Sequence, residues 1–288
     1  MSGQSHHAAV RRYYDETRWD YKHLWKSDET LAIHFGYYDD HGPEQAGHKE
    51  AVQRMNEQLA AAVAVTSADV VLDAGCGMGG STIWLASNIG CEVVGVNISL
   101  YQLEAAKAAA KQRQFEDLVR FDARDYTSTG LPSETFTVIW ALESVVHALS
   151  KPDFATEAFR LLKPGGRLVL AEYMVRDVPP IDHTEAEVLK VWLDGWAMPS
   201  LLSEEMYRQV LGAAGFGGVR VSDITDHVLP SLSRLERITN RLLPIAPALR
   251  ACRVITGGQL ENARASAAQM TALKRGLWRY KLLVAQRA

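Results

Sequence analysis

Residues 70–86 read "VVLDAGCGMGGSTIWLA", a short apolar run that empties into four glycines. Residues 70–73 show no polar alternation, which predicts a strand buried on both faces, as in a parallel sheet. Gly75, Gly77, Gly79 and Gly80 follow in the pattern G-x-G-x-G-G. Glycine turns let the backbone approach a ligand closely, but several nucleotides use them, so the glycines alone do not choose. Asp73 does. A carboxylate two residues before the first glycine is badly placed for a pyrophosphate and well placed for an ammonium group. Ser81 and Thr82 open the next helix where a Walker loop carries lysine, which disfavours ATP. The acid, and the missing base, point to a zwitterionic or cationic ligand with an amino-acid tail.

Outward from this turn, strand signals at 70–73, 92–96, 118–122, 136–141 and 167–172 alternate with helix signals at 80–88, 99–114 and 152–162. That rhythm predicts an α/β fold with a parallel sheet covered on both faces. In "LLKPGGRLVLAEY" (161–173) the helix is expected to end before Pro164, with Gly165-Gly166 turning the chain. Upstream, residues 8–30 set Tyr13, Tyr14, Trp19, Tyr21 and Trp25 among charges and read as aromatic-rich helix. A loop with Gly36, Gly42 and Pro43 follows, then a helix over 45–64. Downstream, a helix over 202–216 carries a capping-box start at Ser203, and a strand spans 218–225. Residues 231–275 read as helical with breaks at Pro244, Pro247 and Gly257-Gly258, and a last strand spans 277–286. Arg234, Arg237, Arg241, Arg250 and Arg253 sit among apolar residues, a pattern open to a membrane-surface helix. The prolines break any long amphipathic face, which favours a lid.

"LDAGCGMGG" (72–80), "CEVVGVNISLYQLEAA" (91–106), "VRFDARDYTSTGLP" (119–132), "FTVIWALESVVH" (136–147) and "LLKPGGRLVLAEY" occur in the order of one family's motifs. The chain resembles the class I S-adenosylmethionine-dependent methyltransferases. Within them it is similar to the tocopherol, sterol, cyclopropane-fatty-acid-synthase-like and natural-product small-molecule enzymes. The resemblance implies a seven-stranded Rossmann-like sheet with helical lid elements and an antiparallel last strand. It implies S-adenosylmethionine as cofactor, with Asp73, Gly75, Gly77, Gly79, Asn97, Ile98, Gln102, Asp125, Tyr126 and Ala141 around it. Asn97 ends the second strand where many members carry an acid; an uncharged residue there with Gln102 implies ribose binding by that pair. Asp125 matches the acid that accepts from the adenine amine, against the plainer reading of a local turn.

At 288 residues and a net charge of −3, the chain reads as one domain with no basic field for nucleic acid or anionic lipid. Residues 1–65 are expected as a helical cover and 66–175 as the cofactor core. Residues 176–288 would complete the sheet, with a substrate lid over 227–275. Three cysteines without metal-type pairing, no secretory h-region and no long apolar run lead to a cytoplasmic, non-integral protein without a metal site. A homodimer is left open, because a lid and a dimer face carry the same signature.

A methyl donor that is already activated asks for alignment, for cation-facing aromatics and, where the acceptor is a hydroxyl, for a base. Tyr14, Phe35, Tyr37 and Tyr38 are the aromatic candidates, while Trp19 and Trp25 read as anchors to the core. Trp192 and Trp196 in "VWLDGWAMPSLL" (191–202) are expected in an apolar acceptor pocket. "ALESVVH" places Glu143 and His147 just past the fourth strand, at the edge where open α/β sheets bind ligands. His147 is read as the base, oriented by Glu172 at the end of the fifth strand. The alternative has His147 capping a helix and Glu172 hydrogen-bonding backbone. The expected reaction is methylation of a small hydrophobic natural-product or lipid-like acceptor at a hydroxyl. C-methylation of a prenyl chain or aromatic ring is the runner-up, with an NAD oxidoreductase and a non-catalytic cofactor-binding protein as distant rivals.

Overall fold

The computed structural model describes residues 3–17, 19, 30–39, 47–178 and 182–288. Tyr21, Trp25 and the Gly42-Pro43 turn, singled out above, lie outside the described residues. Among the described residues, helices α1 (Gly3–Glu16) and α2 (His48–Ala62) precede the sheet. The core alternates as expected: β1 (Val70–Ala74), α3 (Gly80–Asn88), β2 (Glu92–Asn97), α4 (Leu100–Gln112), β3 (Val119–Ala123) and β4 (Phe136–Leu142). A single 3-10 turn, Val145–His147, leads into α5 (Lys151–Leu161) and β5 (Leu162–Val175). Then come α6 (His183–Gly195), α7 (Glu204–Ala214), β6 (Phe216–Asp223), α8 (Thr225–Leu242), α9 (Ala246–Ala251), α10 (Gly257–Lys274) and β7 (Trp278–Arg287).

The strands form one seven-stranded sheet in the order β3-β2-β1-β4-β5-β7-β6, in which β7 runs antiparallel to both neighbours. The chain builds outward from β1 through β2 to β3 and then returns to place β4 on the other side of β1. That reversal opens a crevice at the carboxyl ends of β1 and β4, the place where open α/β sheets receive ligands. β1 and β4 are apolar almost throughout because helices cover both faces of the sheet. Gly165 takes the left-handed conformation (φ +77°) in the expected turn, which lies within β5. Between the Phe136–Leu162 and Val138–Arg167 pairs, residues 163–166 loop out of register.

Local caps explain where the helices begin. Ser99, Ser150, Asp182, Ser203 and Thr256 each accept a backbone N–H from the third residue on. The expected capping box at Ser203 is a simple cap, because Met206 stands where the reciprocal Glu or Gln would be. The full box occurs instead at Thr256 with Gln259, at the head of α10. α8 and α10 pack across β7 and α6 as a cover. Among the described residues no helix is long and apolar enough to cross a membrane. Trp19 is 57% exposed, so it does not anchor the cover as its aromatic character suggested.

Candidate active site

A cavity of about 300 Å³ occupies the crevice. Its first wall is the glycine turn. Gly75 holds φ +98°, and a Cβ there would stand 2.5 Å from Ser144 Cβ, so only glycine lets the exit of β1 pass the exit of β4. Gly77 holds φ +53° and a Cβ there would meet nothing within 4 Å, which leaves a bare backbone cradle facing the cavity. Gly79 is different from what its motif position suggested. It is the left-handed N-cap of α3, its missing Cβ makes room for Ala106 and Phe121, and it does not line the cavity. Gly80 lines it instead. A Cβ on Gly80 would meet the Leu31 carbonyl at 2.6 Å, so this glycine seats the N-terminal segment on the turn. That role has a signal in the sequence, the fourth glycine, which the fingerprint reading leaves without a function.

Asp73 lies 3% exposed at the end of β1, and its carboxylate accepts the Thr82 hydroxyl at 2.6 Å. Burial raises its pKa to about 6, offset only by the Thr82 hydroxyl and N–H. A buried acid with no positive neighbour is a place that favours an incoming cation. At the end of β2, Asn97 Nδ2 donates to Gln102 Oε1 at 2.8 Å and more weakly to the Gly77 carbonyl at 3.3 Å. The two amides and Ile98 all border the cavity. Asp125 makes the local turn of its plainer reading. Oδ1 accepts the N–H and hydroxyl of Thr127, each at 2.8 Å, closing a local turn, while Oδ2 lies 3.0 Å from His7 Nε2. Tyr126 lines the cavity and its hydroxyl donates to the Ser144 carbonyl at 2.8 Å. Ala141 does not border the cavity: it is fully buried inside β4, and the next residue, Leu142, takes that position.

The remaining walls are mostly apolar and come from α1, the segment after residue 30, the 196–198 loop and the cover helices. Tyr14, Phe35 and Trp196 line the cavity as expected. Tyr37 and Tyr38 do not. Tyr37 stacks on His227 with ring centres 4.1 Å apart, and Tyr38 is buried with its N–H donating to the His227 carbonyl, so both fasten the N-terminal segment to α8. Trp192 is likewise a core residue, fully buried against Tyr173 and Trp278. Tyr13 and Met198 also line the cavity, and so do Leu235, Asn262 and Ser266, which were not expected there because nothing in local sequence tells which face of α8 or α10 meets it.

Three titratable groups lie toward the carboxyl ends of β4 and β5. Glu143 holds φ +50°, unusual for a side chain with a Cβ. Its carboxylate accepts the Phe35 N–H at 2.8 Å and the hydroxyls of Tyr280 (2.7 Å) and Tyr173, tying the N-terminal segment to β5 and β7. Burial raises its pKa to about 7 against those three donors. His147 borders the cavity at the end of the 3-10 turn, its pKa lowered to about 4, chiefly by burial, so the imidazole is neutral at pH 7. The Ala197 carbonyl 3.4 Å from Nδ1 can only accept, which assigns the proton to Nδ1 and leaves a lone pair on Nε2. The Tyr14 hydroxyl, 3.0 Å away, donates to that lone pair. The expected pairing of Glu172 with His147 is absent. Glu172 is fully buried, accepts the Val145 N–H at 2.6 Å and the Tyr207 hydroxyl at 3.3 Å, and does not line the cavity. The peptide N–H of the turn faces β5 and outcompetes the ring, which points the other way toward α1.

Residues 72–170 match the family described as "Methyltransferase domain". The chain is 32% identical over 236 residues to methyltransferase GfsG of Streptomyces halstedii, covering 82% of each. It is 32% identical over 202 residues to the 27-O-demethylrifamycin SV methyltransferase of Amycolatopsis mediterranei (strain S699), covering 70% of this chain and 72% of that one. The fold matches the geranyl diphosphate C-methyltransferase of Streptomyces coelicolor A3(2), solved with Mg2+, geranyl diphosphate and S-adenosyl-L-homocysteine. That match has a TM-score of 0.73 at 20% identity over 98% of both chains. The chain belongs to the S-adenosylmethionine-dependent methyltransferases. Its cofactor is S-adenosylmethionine, which the bare glycine cradle, the cation-favouring Asp73 and the paired amides at Asn97 fit.

Proposed function

We propose that the enzyme methylates a hydroxyl of a small, apolar natural-product-like acceptor, with His147 taking the proton. The observation that carries this reading is the Tyr14–His147 contact. A phenolic hydroxyl already donates to Nε2 of a neutral imidazole at the cavity wall, the contact an acceptor hydroxyl needs before it loses its proton. When bound, S-adenosylmethionine supplies a sulfonium-activated methyl group. The residues of this chain would do the rest. Asp73 binds the ammonium end and the Gly75–Gly77 backbone the tail; Asn97 and Gln102 hold the ribose. Asp125 takes the adenine amine at the oxygen now facing His7, and Tyr126 flanks the ring. Tyr14, Phe35 and Trp196 shape the acceptor side and exclude water. Residues 1–65, 66–175 and 176–288 serve this site together as cover, core and completed sheet of one domain.

Acceptor chemistry is favoured by the walls. Among the described residues the cavity is lined by Asp73, Asp125, Glu143 and Asp153 but by no lysine or arginine, an electrostatic surface that disfavours a phosphorylated acceptor. The natural-product relatives support the same class. The test is a panel of phenolic, polyketide and terpenoid alcohols beside their phosphorylated counterparts, read as S-adenosylhomocysteine formed. Turnover is expected with neutral acceptors. Turnover confined to phosphorylated ones overturns the reading.

C-methylation is the second reading, and Glu143 favours it: a carboxyl with its pKa raised to about 7 borders the same cavity. In that case Glu143 removes the proton from carbon. NMR of the product, showing the new methyl on oxygen or on carbon, separates the two.

Asp73→Asn keeps the size of the side chain and its bond to Thr82 while removing the charge. A charge-assisted contact is worth about 1.5–3 kcal/mol, so affinity for S-adenosylmethionine by calorimetry should fall roughly ten- to hundredfold. The melting temperature of the ligand-free protein should not fall, because a buried and otherwise uncompensated charge is removed.

A further inference from the structure

The 3-10 turn that carries His147 is gripped from two sides by buried charges that never reach the cavity's reacting end. Lys151, the first residue of α5, is 3% exposed. Its Nζ donates to the carbonyls of Val146 (3.2 Å), Ala148 (2.9 Å) and Ser200 (2.8 Å), with Ser200 Oγ at 3.4 Å. The three protons of an ammonium thus meet three peptide carbonyls, two from the residues on either side of His147 and one from the loop that also supplies Ala197. On the other side Glu172 accepts the Val145 N–H at 2.6 Å and the Tyr207 hydroxyl at 3.3 Å. The Lys151 ammonium donates to carbonyls and the Glu172 carboxyl accepts an N–H, so each meets the matching end of the turn's peptide dipoles. Burial disfavours both charges, raising the pKa of Glu172 and lowering that of Lys151, while their mutual attraction opposes it.

We propose that Lys151 and Glu172 are positioning residues that clamp the Val145–His147 turn, aim the His147 ring across the cavity and bind the 197–200 wall to it. This rests on the reading of His147 as proton acceptor. The clamp explains why two charges are retained inside an apolar wall where a hydrophobic pair of the same volume would cost less to bury. It also explains how Glu172 serves His147 without touching it. The ring is held by Ala197 through Nδ1, and Ala197 and His147 are joined through Ser200 and Lys151.

The experiment compares wild type, Lys151→Met, Glu172→Gln, His147→Ala and the Lys151→Met/His147→Ala double variant, all as the full chain with S-adenosylmethionine and an accepted alcohol. Lys151→Met is expected to lower kcat about thirtyfold or more, with the Kd for S-adenosylmethionine within threefold of wild type. It should also move the acidic limb of the kcat profile upward. His147 is held neutral by burial first and then by the nearby Lys151 charge, against the Ala197 carbonyl on Nδ1, with Tyr14 on Nε2. A purely structural defect would leave that limb in place. In the His147→Ala background, Lys151→Met should change kcat less than twofold. An undiminished loss in that background overturns the clamp while leaving the base reading standing. A His147→Ala variant that turns over within threefold of wild type overturns the base reading, and the clamp with it. Should Lys151→Met fail to fold, Glu172→Gln carries the test. It keeps an acceptor for Val145 but not the charge, and should lower kcat about tenfold at unchanged cofactor affinity. An unchanged kcat in that variant overturns the proposal.

Discussion

His147→Ala is expected to lower kcat for the accepted alcohol by about a hundredfold or more, the lower end of what a positioned base contributes. Cofactor affinity should remain within threefold, since no cofactor-facing residue named above depends on the ring. The wild-type acid limb should lie well below neutrality, because burial holds the imidazole's pKa near 4. Stability carries a matching signature with a definite sign. The pKa of His147 in the fold is lower than the 6.5 of an unhindered histidine. As pH falls through 6.5 toward 4, the unfolded chain therefore binds a proton that the folded chain refuses, and unfolding free energy drops across that window. The alanine variant lacks this component, so its denaturant midpoint should fall less steeply between pH 6.5 and 4. Turnover by His147→Ala within threefold of wild type would transfer the proton-accepting role elsewhere, with Glu143 the next group on the same wall.

Gly75→Ala should be the other severe change. The backbone there is at φ +98°, where an L residue is strained by about 1–3 kcal/mol. The new methyl would also stand 2.5 Å from Ser144 Cβ. Overpacking of this kind adds about 1–3 kcal/mol. Ser144 cannot retreat freely, because its hydroxyl donates to the Ala74 carbonyl at 2.5 Å and its own carbonyl accepts from Tyr126. It also precedes the turn that carries His147. The substitution therefore strikes the cofactor cradle and the proposed base together. The melting temperature should fall by several degrees, taking roughly 2–4 °C per kcal/mol for a chain of this size. S-adenosylmethionine binding should become undetectable at concentrations that saturate wild type. Wild-type affinity and thermal stability in Gly75→Ala would show that the two strand exits can separate without loss.

Much of the molecule was open to reading in one dimension. Period and glycine chemistry are local properties, so the five early strands, their helices and the glycine turn fell within a few residues of where the structure has them. Asp73, Asn97, Gln102 and Asp125 lie at or just past strand ends, and a parallel sheet brings strand ends to one edge whatever the details of packing. The fold class and the type of ligand follow from that.

Which aromatic ring faces ligand and which faces core is not a local property. Trp192 and Trp196 lie four residues apart at the end of α6, yet the first is sealed against Tyr173 and Trp278 and the second borders the cavity. The packing of α6 on α10, with Trp192 against Trp278 of β7, makes that division, and neither partner can be inferred from the helix's own sequence. Tyr37 and Tyr38 were drawn out of the cavity in the same way, by a histidine and a carbonyl nearly two hundred residues further along. Glu172 gives the sharpest case. Its place at the end of β5 was legible, but its partner was set by which buried donor lay nearer in three dimensions. A peptide N–H with no other acceptor claimed the carboxylate, and the imidazole turned toward the tyrosine of α1.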